Sequence, residues 1–200
     1  MSFALRSADC LPGVRTRTRL RRALRALLFA ALAVAGLAAA DTIPVKSAEL
    51  RADDEAYVLN AEFDLAFNPT LEEALDKGVA LSFVLEFELV RPRWYWFDEK
   101  TLSYSTQYRV SYNALTRQFR VASGLLTQAF DSLDEVQRFL SRVTARRVAA
   151  RAELVKGMNY EAAIRLRLDV SALPKPFQVN ALASREWSLQ SEWYRWSFAP

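Results

Sequence analysis

Four stretches of this chain alternate apolar and polar residues with period two, and no other feature restricts the fold as much. Tyr57, Leu59, Ala61, Phe63, Leu65 and Phe67 alternate with Val58, Asn60, Glu62, Asp64 and Ala66. Val79, Leu81, Phe83, Leu85, Phe87 and Leu89 repeat the pattern until Pro92, with Ser82, Glu86 and Glu88 on the other face. Leu102, Tyr104, Thr106, Tyr108, Val110 and Tyr112 follow a turn at Asp98 to Lys100, and Tyr160, Ala162, Ile164, Leu166, Leu168 and Val170 make the fourth stretch. Successive side chains of a strand point to opposite faces, so each stretch reads as a strand with one buried face. The second and third should pair as a hairpin, because a short turn separates them.

Shorter signals fill the intervals. Gln118 to Val121 and Leu125 to Phe130 supply two short strands broken near Gly124. Thr70 and Glu73 form a capping box for one short helix that Gly78 stops. Leu133, Val136, Leu140 and Val143 recur at helical spacing behind Ser132 and Glu135, which predicts an amphipathic helix ending near Arg147. Asp41 to Glu55 is polar and turn-rich, the LPKP run at Leu173 to Pro176 ends the fourth strand, and Trp187 to Phe198 reads as a last strand that changes face at a bulge. Six to eight strands at roughly twelve-residue spacing, with one amphipathic and one short helix, predict an all-β domain. The expected architecture is a mainly antiparallel β-sandwich, immunoglobulin-like in its layering. A single domain over residues 41–200 suits a stretch of that length.

Residues 1–40 differ in kind from the rest. Arg6, Arg15, Arg17, Arg19, Arg21, Arg22 and Arg25 stand against Asp9, and the fifteen residues from Ala26 to Ala40 carry no charge and end in Ala38-Ala39-Ala40. That is the layout of an export signal cleaved after Ala40. Arg21-Arg22 resembles a twin-arginine signal, but general secretion is the expected route, since pairs arise readily in so arginine-rich a head. Fifteen apolar residues fall short of the roughly twenty that span a membrane, although an uncleaved leader would act as an N-terminal anchor. The expected location is the periplasm.

The leader also decides the charge. The chain holds 27 basic and 23 acidic residues, and without the leader's seven arginines and one aspartate 20 and 22 are left, a net charge of about −2. A nucleic-acid partner, which needs a basic working face, is therefore not expected. The single cysteine, Cys10, lies in the leader and histidine is absent, so the working domain lacks the residues for a disulfide, a thiol nucleophile, a Ser-His-Asp triad or a usual zinc site. No cofactor is expected, and carboxylate, Lys, Tyr or Ser chemistry is what remains open to it.

RPRWYWFDE at Arg91 to Glu99, YNALTRQFRV at Tyr112 to Val121, LPKPFQVNAL at Leu173 to Leu182 and SEWYRWSF at Ser191 to Phe198 resemble the proteobacterial family called domain of unknown function 4390, in the same order along the chain. The resemblance implies an exported protein without assigned activity, encoded near a nitrogen-regulation-type sensor kinase. It brings no catalytic residue with it.

Arg91, Arg93, Trp94, Tyr95, Trp96 and Phe97 form the best candidate binding surface, because Trp, Tyr and Arg bury much area at small entropic cost. The competing reading puts these aromatics in the core. For Trp187, Trp193, Tyr194 and Trp196 the core reading is the stronger one. Glu86 and Glu88 share a strand face roughly 6 to 7 Å apart, a spacing that overlaps glycosidase carboxylates, but a solvated outer face is the simpler expectation. Arg142, Arg146, Arg147 and Arg151 would complement the dipole at a helix end. The expected function is a non-enzymatic periplasmic binding or adaptor domain for an envelope protein, a membrane sensor kinase among the candidates, with no membrane insertion of the domain itself. The alternatives are a small outer-membrane β-barrel and a carboxylate-dependent hydrolase centred on Glu86 and Glu88.

Overall fold

The computed structural model describes residues 42–92 and 99–200, so the leader and Arg93 to Phe97 lie outside the described residues. Among these residues the chain runs β1 (Val45–Ala52), β2 (Ala56–Phe63), α1 (Pro69–Asp76), β3 (Leu81–Arg91), β4 (Glu99–Asn113), β5 (Gln118–Ser123), β6 (Leu126–Phe130), α2 (Leu133–Leu140), β7 (Arg142–Ala150), β8 (Tyr160–Leu168), α3 (Lys175–Ala183) and β9 (Tyr194–Phe198). Every neighbouring strand pair is antiparallel. The strands make two sheets, one ordered β1-β2-β7 and the other β6-β5-β4-β3-β8-β9. Both contribute to one continuous core, which gives the sandwich the alternation predicts. Each described sheet has two open edges, unlike the single closed sheet of a barrel.

The alternating stretches carry this core. Leu81, Phe83, Leu85, Phe87 and Leu89 of β3 are buried, and in the register of β8 Leu168, Leu166, Ile164 and Ala162 stand opposite Phe83, Leu85, Phe87 and Leu89. Leu59 and Phe63 of β2 and Val143 of β7 close the core from the smaller sheet. Each such side chain contributes roughly 1.5–3 kcal/mol by leaving water. Tyr57 meets Phe198 edge-on at 5.4 Å, which ties β2 to the outermost strand of the larger sheet.

The helices act as plugs. α1 is capped by Asn68, whose side chain accepts a hydrogen bond from the Leu71 amide at 3.0 Å, and not by Thr70 as the sequence suggests. The Thr70 hydroxyl instead donates to Glu186 at 2.7 Å. Gly78 ends this segment with φ of 81°, the left-handed conformation a glycine adopts most freely. α2 is capped by Ser132 as expected, while Glu135 reaches back to the Asp131 amide rather than to the cap itself.

Five local expectations need correction. Glu99 and Lys100, read with Asp98 as a turn, already belong to β4 and pair with Arg91 and Val90, while Asp98 lies outside the described residues. α2 stops at Leu140, and Arg142–Ala150 is a strand paired to β2, so Arg142, Arg146 and Arg147 lie on a sheet edge instead of a helix end. Val45–Ala52, read as turn-rich, is an edge strand. Lys175–Ala183 is a helix, because a proline in the first turn lacks only an amide that would be unpaired there anyway. The final strand is confined to Tyr194–Phe198, and Trp187 sits in a separate single turn.

Candidate functional site

Glu86, on the outer face of β3, stands opposite Arg165 in the register of β8. Arg165 Nε donates to one carboxylate oxygen, and Arg167 reaches the other through Nε and Nη2 at 3.2 Å. Burial pushes the Glu86 carboxyl up, yet the hydrogen bonds and positive charge of the two arginines outweigh this and hold it below the ordinary carboxylate range. A carboxylate fixed as an anion makes a poor proton donor, and Glu88, two residues on, stands opposite Ala163 in the register of β8. The guanidinium of Arg165 also lies 4.6 Å from the centre of the Trp193 ring, so the cluster continues as a cation–π stack. Glu86, Arg165, Arg167 and Trp193 thus lock the outer faces of β3 and β8 to the C-terminal segment.

A different arrangement occurs along β4. This strand pairs with β3 over nearly its whole length, but β5 reaches only Arg109–Asn113. Among the described residues, no strand pairs with the other side of Leu102–Tyr108. The edge of β7 faces it across a cleft. At one end the cleft has a volume of about 600 Å³ and is lined by Ser105, Thr106, Gln107, Arg109, Gly124 and Arg146. At the other it has about 410 Å³ between Leu102 and Arg147 to Ala150.

Arg146 is held in place within this seam. Its Nη2 donates to the Tyr108 hydroxyl at 3.4 Å, and its guanidinium carbon lies 6.0 Å from the Tyr104 ring centre. The bond to Tyr108 raises its already high pKa further, outweighing the effect of burial, so it stays charged. Tyr108 is itself fixed by the edge of Phe139 from α2, and the Tyr104 hydroxyl accepts a hydrogen bond from Thr106. The result is a polar seam in which fixed tyrosines orient one arginine and Arg109 adds a second, exposed charge.

Of the residues singled out from the sequence, Arg91 is half-buried at the end of β3, opposite Glu99 in the β3–β4 register. Arg93, Trp94, Tyr95, Trp96 and Phe97 connect β3 to β4 in the sequence and lie outside the described residues. Trp187 is buried and packs against Phe177 at 5.9 Å, as the core reading has it. Trp196 tilts against Phe87, whereas Tyr194 is exposed. Sequence reasoning noticed Arg146 but placed it on a helix, and it noticed the Tyr104 and Tyr108 alternation without its open side. Pairing partners 38 residues apart, as Tyr108 and Arg146 are, leave no local trace.

A family model described as "Domain of unknown function (DUF4390)" matches residues 40–197. No curated protein and no solved structure matches the chain.

Proposed function

The chain belongs to the DUF4390 family over residues 40–197, and from that premise we propose that it is an exported, non-catalytic binding or adaptor domain that meets a protein partner in the cell envelope. The observation that carries this reading is the edge of β4 that no described strand covers, beside a polar, arginine-bearing cleft. Exposed edges are usually blunted in folded proteins, and one left open next to a cleft suits association. The most plausible acid–base group on the outer sheet face, Glu86, is committed to Arg165 and Arg167, which speaks for binding over hydrolysis. The arginine-rich leader with its Ala38-Ala39-Ala40 end supports export to the periplasm.

The partner is an envelope protein, and the sensory part of a membrane kinase is the specific candidate. The Arg91 to Phe97 connection adds a second contact to the reading, since four aromatics and two arginines there suit a protein hot spot. Fractionation of cells making the untagged protein, with intact mass of each fraction, tests the location. A soluble periplasmic species starting at Asp41 is the expected result, and a full-length cytosolic species would overturn it. In the same cells, chemical cross-linking should join the protein to an envelope partner. A folded variant with Trp94→Ala and Trp96→Ala should lose that product, and an unchanged product would remove the aromatic contact.

A further inference from the structure

We propose that the Leu102–Tyr108 edge of β4 is a strand-addition site for an extended segment of the partner, one that carries carboxylates at one end and apolar side chains at the other. The inference rests on the binding-domain reading and names the chemistry of its partner. Three observations lead to it.

The first is that no described strand pairs with this edge. Leu102 to Tyr108 reads LSYSTQY, with no charge, proline or glycine, and the register shift in the pairing with β3 falls before it, between Lys100 and Leu102. Tyr and Thr among them favour strand pairing, and the stretch lacks the charged and proline side chains that normally discourage it. The facing edge of β7 is guarded by contrast: Ala145 bulges with φ of 48°, the pairing with β2 shifts register there, and Arg142 and Arg147 project into solvent. Among the described residues, the fold thus closes one edge of the seam to a new strand and leaves the other open.

The second is the size of the opening. Seven residues of strand extend about 20 Å, and the two lobes of the cleft lie along that length, from Leu102 to Arg109. The third is the distribution of charge. The larger lobe is lined by Arg109 and Arg146 with no carboxylate, on opposite faces of β4, so an added strand with acidic residues there would meet a guanidinium on either face. The smaller lobe is lined by Leu102, Val148 and Ala149, with the charge of Arg147 set against two carboxylates in the same lining, and one of those carboxylates, Glu153, already accepts from the Ala150 amide at 3.0 Å. A basic segment would be repelled at the Arg109 end. The arginine-rich leader therefore has the wrong sign for this site.

The test uses the full chain as cells process it and three designs of fluorescein-labelled octapeptide, six peptides in all. Each alternates threonine and valine and ends in two glutamates, in two lysines, or in two glutamates with every second amide N-methylated, the charged pair being placed at either terminus. Anisotropy should show the glutamate peptide binding at least about tenfold tighter than the other two, the size of one charge-assisted contact. Arg109→Glu should reverse the preference between glutamate and lysine. Amide hydrogen exchange should slow by about tenfold or more within residues 102–108 and not along β7. Equal binding of the lysine peptide, equal binding of the N-methylated peptide, or protection confined to another region would overturn the proposal. So would edge amides already protected in the free protein, which would mean a second copy if the native mass is doubled and a segment of the same chain if it is not. If the peptides fail while cross-linking still joins the protein to its partner, the edge site falls and the binding-domain reading stands. Loss of both removes both.

Discussion

Glu86 shows how a single charge can be set by residues far away in the sequence. Its two arginine partners come from positions 79 and 81 residues later, and all three side chains are largely withdrawn from solvent. The shared face of Glu86 and Glu88 was legible from period two alone, but the partners that remove Glu86 from acid–base chemistry were not, because strand pairing is a long-range event. Glu86→Gln leaves the shape intact and removes the anion, so it should cost about 1–2 kcal/mol near neutral pH, the range for hydrogen bonds to charged groups at a part-exposed site. The folded carboxyl lies below its ordinary value of 4.5. Its contribution is therefore complete above about that pH and is lost as pH falls through the lowered folded value. Urea unfolding should show the gap between wild type and Glu86→Gln at neutral pH and its narrowing in acid. A gap that stays constant down to strongly acidic pH would mean that the ion pair contributes nothing. Asn68 offers a second residue-scale check, because its side chain both caps α1 and donates to the Glu186 carbonyl at 2.7 Å. Asn68→Ala should lower stability by about 1–2 kcal/mol, read as a lower urea midpoint at unchanged slope.

The four long alternating strands are found where period two places them, since each buries one face against a neighbour that also alternates, although β2 ends at Phe63 with Leu65 and Phe67 buried beyond it, and β8 ends at Leu168 before Val170. Elements with weaker contrast were harder to read. β1 is an edge strand with only Ala48 and Leu50 turned towards the core along its middle, so its sequence looks like a polar loop. β7 is the more instructive case. Val143 continues the helical spacing of Leu133, Val136 and Leu140, yet it is buried as a strand residue. The bulge at Ala145 moves the buried positions from Val143 to Ala149 off a simple alternation, and a period that changes phase leaves helix and strand indistinguishable by pattern. Ala145 pays for this with φ of 48°, a conformation that glycine adopts without a Cβ clash. Its amide is held by the Asn60 side chain at 2.8 Å, so the bulge is built into the pairing of β2 with β7. Ala145→Gly should therefore raise the melting temperature, by an amount equivalent to about 0.5–1 kcal/mol, while Ala145→Val should lower it. The candidate seam between β4 and β7 follows the same logic: its tyrosines and arginines are visible in the sequence, but the missing neighbour that opens the edge belongs to the topology.

At the scale of the molecule, the two sheets share one core, to which the inner faces of both contribute. Leu59 in the smaller sheet and Leu85 in the larger are both almost wholly buried and belong to the same continuous cluster. Tyr57 against Phe198 and Arg146 against Tyr108 carry contacts directly from one sheet to the other. Separating the sheets would expose both inner faces at once, so partial unfolding of either should be much less stable than complete unfolding. Leu59→Ala and Leu85→Ala should each cost about 2–5 kcal/mol, the range for emptying a leucine site in a packed interior. More specifically, both should shift the same transition. The described tryptophans, Trp187, Trp193 and Trp196, lie on the side of β8, α3 and β9, so their fluorescence reports the larger sheet and its attachments, whereas far-ultraviolet dichroism reports all strands. If the core acts as one unit, the two signals should coincide in urea for the wild type and for both variants. If Leu59→Ala lowers the dichroism midpoint while tryptophan fluorescence keeps its wild-type midpoint, the smaller sheet unfolds on its own. The β4 edge would then gain a neighbour that can detach, and the seam would have to be treated as a moving contact instead of a fixed cleft.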